Sequence, residues 1–236
     1  ASLALVAKNA GIYYEWSTNE KVATEVAAGA AFCGVRSLTA MKHFGLNVAS
    51  DSLLPIAYIG VKGGMVVVVG DDPEGHSSAQ SEEDTRYLAK MGNIPIIEPS
   101  TMKECKDFTI KAFEISEKYN IPVILRITTM IGHATGTLAL GTIKRSVREG
   151  RFTKDKDKFF SMRPHLQVLH KRILKKMEGI EKEYGRFNKI EGHGKIGIIT
   201  SGASYNYIKE IDPKGVKIAK LNITNPISKK IISNVP

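Results

Sequence analysis

The chain has 236 residues, 42% apolar and 25% charged, which is ordinary globular usage and room for one large domain or two small ones at roughly 100–200 residues per domain. This excludes a disordered, collagen-like or coiled-coil protein, while two isolated cysteines, Cys33 and Cys105, exclude a disulfide scaffold and a cysteine-held zinc or iron–sulfur site. The net charge of +10 is concentrated: 15 Lys/Arg against 6 Asp/Glu fall between Thr142 and Ile190, a segment with few interleaved aromatics and no nucleic-acid-binding signature, so nucleic acid is not the expected partner.

In chain order, the opening Ala1–Tyr14 has neither the basic start nor the sustained apolar centre of a secretory signal, and it lacks an initiator Met. Short β-rich runs then alternate with helical stretches, as in βαβ units around a parallel sheet. Strands are expected at Ile12–Trp16, Leu38–Lys42, Met65–Gly70, Ile94–Ile97 and Pro122–Thr128. Helices are expected at Ser17–Cys33, Leu46–Ile59, Ser81–Met91 and Met102–Lys118. The uninterrupted runs Val66–Val69 and Val123–Leu125 read as strands covered by helices on both faces. None approaches the ~18–20 apolar residues of a membrane span, and a reducing cytoplasm is the expected compartment. The 142–192 stretch, with a helix over Pro164–Tyr184, reads as a basic, partly helical linker after a domain at 1–141. A second, incomplete α/β domain is expected over 193–236, with strands Lys195–Thr200 and Val216–Leu221, a helix Ser204–Ile211 and a last helical piece from Pro226.

Four loops fall at the carboxyl ends of expected strands, where a doubly wound sheet places its ligands. In the first, Ser17-x-x-Glu20 has capping-box spacing, yet small apolar neighbours also suit a desolvated carboxylate that shares a proton with a ligand nitrogen. The second, Met41–Asn47, holds His43 and Gly45; a lone His there is a hydrogen-bonded structural group as readily as a catalyst. The third, Gly70–Ser78, clusters Asp, Glu and His as a divalent metal site does, but Pro73 and Gly75 equally mark a solvated turn, and no metal ligand is assigned. The fourth, Thr128–Gly136, has no P-loop spacing, and no Gly-x-Gly-x-x-Gly fingerprint follows the opening strands. The residues alone reach a parallel α/β protein with a ligand crevice and do not name a substrate.

The same loops, in the same order, resemble the thiamine-diphosphate-dependent 2-oxoacid:ferredoxin oxidoreductases, most closely the indolepyruvate-type alpha subunits of archaea and anaerobic bacteria. The matching blocks are Tyr14–Ala23, Met41–Ala49, Ala57–Met65, Asp71–Pro73 with His76–Ser78 and Glu83–Tyr87, and Ile121–Arg126. The likeness is dense from Gly11 to Ile127 and looser to Leu221. It implies a thiamine-diphosphate-binding-type parallel sheet with helices on both faces, of the pyrimidine-binding kind, followed by a smaller α/β domain. It further implies that Glu20 is the catalytic carboxylate that hydrogen-bonds the aminopyrimidine of thiamine diphosphate. By the same resemblance Lys42, His43, Gly45 and Leu46 line the cofactor site, and His43, His76, Ser77 and Ser78 border the substrate cavity.

The reaction so implied oxidatively decarboxylates an aryl 2-oxoacid to an acyl-CoA and passes electrons to ferredoxin. The chain departs from such enzymes in four ways. It begins at the first helix, without the preceding strand and Gly-Thr-Pro-Ser-like loop. It has no Gly-Asp-Gly…Asn motif for Mg2+, which Gly70–Asp72 does not supply. It has no cysteine clusters for [4Fe–4S] centres, and Gly132–Gly136 lacks the usual Ser-His pattern. The expectation is a fragment or separately encoded part, inactive alone, whose partners are a beta subunit and the remaining alpha-subunit domains. Mg2+ and the clusters belong only to the complete enzyme. The alternative is a non-catalytic assembly subunit that keeps the fold.

Overall fold

The computed structural model describes residues 2–75, 81–142 and 149–236. A first helix, α1 (Ser2–Ala10), leads through a coil to α2 (Glu20–Phe32). There follow β1 (Ser37–Lys42), α3 (His43–Ile59), β2 (Met65–Asp71), α4 (Thr85–Met91), β3 (Ile96–Ile97), α5 (Met102–Tyr119) and β4 (Val123–Thr128). Strands β1, β2, β4 and β3 lie side by side in that order, all parallel, with Leu38 opposite Val66 and Val67 opposite Ile124. Right-handed crossovers put α3 and α4 on one face and, because β4 returns to lie between β2 and β3, α5 on the other. The valine and isoleucine runs are therefore buried on both sides: Val66, Val67, Ile96, Ile97, Val123 and Ile124 are all inaccessible. This is the parallel, helix-covered sheet expected above.

The expected strand at Ile12–Trp16 does not form. Tyr13 and Trp16 are 80% and 79% exposed, and alternating apolar residues do not make a strand without a neighbour to complete the hydrogen-bond ladder. The expected capping box is also absent. Asn19 caps α2, its Oδ1 accepting from the Val22 amide at 3.0 Å, while the Ser17 hydroxyl donates to Glu15 Oε1 at 2.9 Å.

After β4 come α6 (Thr129–Gly132), α7 (Lys156–Phe159) and the long α8 (His165–Tyr184). Charge reads the stretch around α8 as a connector, but Leu169, Ile173, Met177 and Ile180 recur at helical spacing and are buried, the last three in the main core. Lys171, Arg172, Lys175 and Lys182 are exposed on its outer side, whereas Lys176 is turned inward. Lys176 Nζ donates to the Asn120 carbonyl and Lys158 Nζ to the Ile59 carbonyl, both at 2.8 Å. Those carbonyls precede β4 and β2, so α7 and α8 together lie at the amino ends of these strands, away from their carboxyl ends.

A short 3-10 turn leads to β5 (Lys189–Gly192), β6 (Ile196–Ser201), α9 (Ser204–Ile211), β7 (Val216–Leu221), β8 (Ile223–Asn225) and α10 (Lys229–Ser233). Strands β5, β7 and β6 form a small second sheet. The three-residue β8 leaves it and pairs antiparallel with β3, completing the first sheet as its fifth strand. The boundary expected near 193 thus cuts through one sheet, and β8 ties the tail to the larger unit. Asn225 Nδ2 reinforces the tie by donating to the carbonyls of Ala89 and Ile94.

Candidate functional site

The carboxyl ends of β1, β2 and β4 open onto the amino end of α3. There the chain passes from Lys42, the last residue of β1, directly into a helix that Lys42 does not cap with its side chain. The first amides of α3 therefore have no intrahelical partners and carry the positive end of its dipole. Glu20, the first residue of α2, is half-buried against this turn. A Cβ built on Gly45 would lie 2.6 Å from Glu20 Cγ and 2.9 Å from both Cδ and Oε1. Only the missing side chain at 45 admits the carboxylate. No described residue hydrogen-bonds the Glu20 carboxylate oxygens, although its carbonyl accepts from the Thr24 hydroxyl at 2.9 Å.

His43 is fully buried, and its Nε2 lies 3.0 Å from the Ser81 carbonyl. A carbonyl only accepts, so Nε2 carries the proton. Nδ1 is buried without a partner among the described residues. The ring stands edge-on to Phe44 at 5.2 Å, and the Lys42 ammonium lies 5.9 Å from the Phe44 ring centre. Asn47, one turn on, donates to both carboxylate oxygens of Glu83 at 3.0 and 2.8 Å and fixes the 81–84 segment against α3.

The structure thus brings Glu20, Lys42, His43 and Gly45 together at one helix start. Leu46 is fully buried in the core, where it supports the turn from behind. His76, Ser77 and Ser78 lie outside the described residues. In the fourth loop His133 is exposed at the end of α6.

A second group at the same strand ends has no place in the sequence reading. Arg126, on β4 and 4% exposed, donates through Nε to Asp71 Oδ2 at the end of β2 and through Nη1 to Glu98 Oε2, just past β3, at 2.8 Å. Asp71 also accepts from the Thr85 amide at 3.2 Å, and Glu98 accepts from the hydroxyls of Ser201 (3.2 Å) and Thr224 (2.5 Å). Asp84, which caps α4, pairs with Arg86 and stands 3.6 Å from Arg126. Burial alone would raise the Asp84 pKa, but hydrogen bonds from Arg86 and the charge of Arg126 outweigh it and hold it below the ordinary carboxylate value. Asp71 is thus committed to a guanidinium and an amide, and among the described residues no three His, Cys, Asp or Glu side chains are grouped to hold a metal ion. The signal was present in the sequence: a lone Arg inside the apolar run Ile121–Ile127 is a buried charge that must find carboxylates.

Residues 3–191 match the family described as pyruvate flavodoxin/ferredoxin oxidoreductase, thiamine diphosphate-binding. The chain is 45% identical over 239 aligned positions to the indolepyruvate oxidoreductase subunit IorA of Pyrococcus horikoshii, covering 96% of the chain and 37% of that protein. It is 42% identical over 229 positions to the protein of the same name from Methanothermobacter thermautotrophicus, covering 94% and 37%. It therefore spans little more than a third of these relatives. In fold it is similar to a 2-oxoglutarate:ferredoxin oxidoreductase from Magnetococcus marinus, solved with 2-oxoglutarate, coenzyme A and succinyl-CoA bound. That likeness has a TM-score of 0.72 and 17% identity, over 95% of this chain and 48% of the other. No described helix is long and apolar enough to cross a membrane. With four-fifths of its length inside that family match, the chain belongs to the thiamine-diphosphate-binding pyruvate flavodoxin/ferredoxin oxidoreductase family.

Proposed function

We propose that this chain forms the pyrimidine side of a thiamine diphosphate site in an oxidoreductase that decarboxylates an aryl 2-oxoacid of the indolepyruvate type, yielding an acyl-CoA and reduced ferredoxin. The observation that carries the reading is the Glu20 carboxylate, lodged over Gly45 at a helix start with no hydrogen-bond partner in the described protein. Held over Gly45 and left free of donors from the described protein, the carboxylate is placed to meet a ligand group, and a ring nitrogen of the cofactor's pyrimidine fits it. The orphan Nδ1 of His43 adds a second unfilled polar position in the same turn.

In this reading Glu20 holds a proton against the ring nitrogen through its carboxylate oxygens, and α2, capped by Asn19, fixes its position. Gly45 keeps the approach open and Leu46 backs it. Lys42 and His43 line the cavity, with His43 held in one tautomer by the Ser81 carbonyl; His76, Ser77 and Ser78 border the substrate. Bound thiamine diphosphate supplies the electron sink for cleaving the bond to the carboxyl carbon, which no side chain provides. The Asp71–Arg126–Glu98 clasp holds the strand ends around this cavity. Mg2+, the [4Fe–4S] centres and the pyrophosphate half of the site come from the beta subunit and the remaining alpha-subunit domains, so the chain alone has no turnover.

The test is Glu20→Gln in the reconstituted assembly. The variant is expected to assemble normally and to lose about 10²-fold or more of 2-oxoacid-dependent ferredoxin reduction, the scale of one general acid–base group. Activity retained, or no thiamine diphosphate dependence in either protein, would instead identify an assembly subunit that keeps the fold without the chemistry.

A further inference from the structure

At the end of the sheet remote from Glu20, between the last turns of α3 and residues 161–171, lies an open cavity of about 660 Å³, within the size range of small-molecule sites. Leu54, Tyr58 and Leu166 give it an apolar wall. Tyr58 and His170 pack together beside it, their rings stacked at 23° with centres 5.8 Å apart and the tyrosine oxygen 3.0 Å from His170 Nδ1. Arg163 and Lys171 stand at its border, and neither is in an ion pair with any described residue. None of the residues around the cavity is acidic.

We infer that this cavity is a binding site for a small aromatic carboxylate. The ring would lie along Leu54, Leu166 and the Tyr58–His170 pair, and the carboxylate would meet Arg163 and Lys171. Charge complementarity selects an anion: two cations without partners border an apolar wall that has no carboxylate to balance them. The apolar patch beside only two cations and the modest volume select a compact organic anion over an extended polyanion, which needs a longer row of cations. The site is separate from the crevice at the strand carboxyl ends. His43 opens α3 and Tyr58 lies fifteen residues further along it, ~22 Å at 1.5 Å per residue.

The test is calorimetric titration of the full chain with 2-naphthoate and, in parallel, with neutral 2-naphthamide. Saturable binding of one naphthoate per chain is expected, with the amide weaker by about tenfold or more, the loss of one charged contact. Arg163→Glu and Lys171→Glu, both at exposed positions, should each weaken naphthoate by a similar factor at an unchanged melting temperature, and Glu20→Gln should leave it unchanged. Equal affinity for acid and amide, binding unaffected by either charge reversal, or loss of binding in Glu20→Gln would overturn the assignment. So would absence of saturable binding together with a wild-type dimer that the Lys171→Glu change dissociates, because a second copy would then be the occupant.

Discussion

The Glu20 side chain occupies the volume that any Cβ at position 45 would need, with Cγ 2.6 Å from that point. The two positions are in different helices and 25 residues apart, so the absence of a side chain at one fixes the place of the carboxylate at the other. Gly45→Ala is therefore expected to act as an indirect Glu20 variant. It should displace the carboxylate and weaken thiamine diphosphate binding in the assembled enzyme by about tenfold or more, while the melting temperature changes little because alanine favours the helix. Equilibrium dialysis of the cofactor against both proteins checks this; unchanged affinity would separate the glycine from the site.

Arg126 satisfies two buried carboxylates, and its removal leaves Asp71 without its guanidinium and Glu98 with only the more distant Arg86, at 4.0 Å, as a counter-charge. Arg126→Met should destabilise the fold by about 3–5 kcal/mol, measured by denaturant titration. Adding Asp71→Asn and Glu98→Gln should recover a large part of that loss, since the uncompensated charges are then gone. A single variant within about 0.5 kcal/mol of wild type would mean that the clasp is solvated.

Two lysines make the stability depend on alkaline pH in an unusual direction. Burial lowers the Lys158 ammonium to about 8, helped by the charges of Lys176 and Lys62, and burial with the charge of Arg172 lowers Lys176 to about 8. Between pH 8 and the ordinary lysine value the unfolded chain binds more protons than the folded one, so these groups make stability rise with pH. Above about pH 10 the effect is opposed by Tyr119 and Tyr205, which burial and neighbouring carboxylates push up to about 12. The expected profile climbs from pH 8 towards 10, and Lys158→Met with Lys176→Met flattens it. An equally steep climb in the double variant would assign the rise to other groups.

The role of α8 is open to a direct measurement. Leu169→Ala and Ile173→Ala should each destabilise by about 2–5 kcal/mol if the helix is part of the core. A solvated connector would tolerate both within about 0.5 kcal/mol.

Local pattern was enough where a strand is covered on both faces and the helices around it are amphipathic. Val66–Val69 and Val123–Leu125 read directly as the centre of the sheet, and Met102–Lys118 as a helix within one residue of α5. It failed where the outcome depends on a distant partner. Ile12–Trp16 alternates like a strand and has none beside it. In α8 the basic residues dominate the count, although the buried set at 169, 173, 177 and 180 was there to be read. Ser17 and Glu20 have capping-box spacing, but Asn19 sits one residue before the helix and takes the cap. The pocket formed by Glu20 and Gly45 followed from no spacing rule, because the contact between α2 and α3 is tertiary. Its residues came instead from resemblance to a family.

Strand β3 has only two residues, and one of its sides is filled by β8, which is made more than 120 residues later. A nascent polypeptide that has emerged only as far as α8 therefore exposes the Ile96–Ile97 backbone as an open, strongly apolar margin. Such margins recruit neighbouring chains, and long-range pairings of this kind are slow to form. A segment made more than 120 residues after β3 is thus the one that seals the first sheet, which makes the interval before residue 225 appears a period of exposure to misassembly and to chaperones.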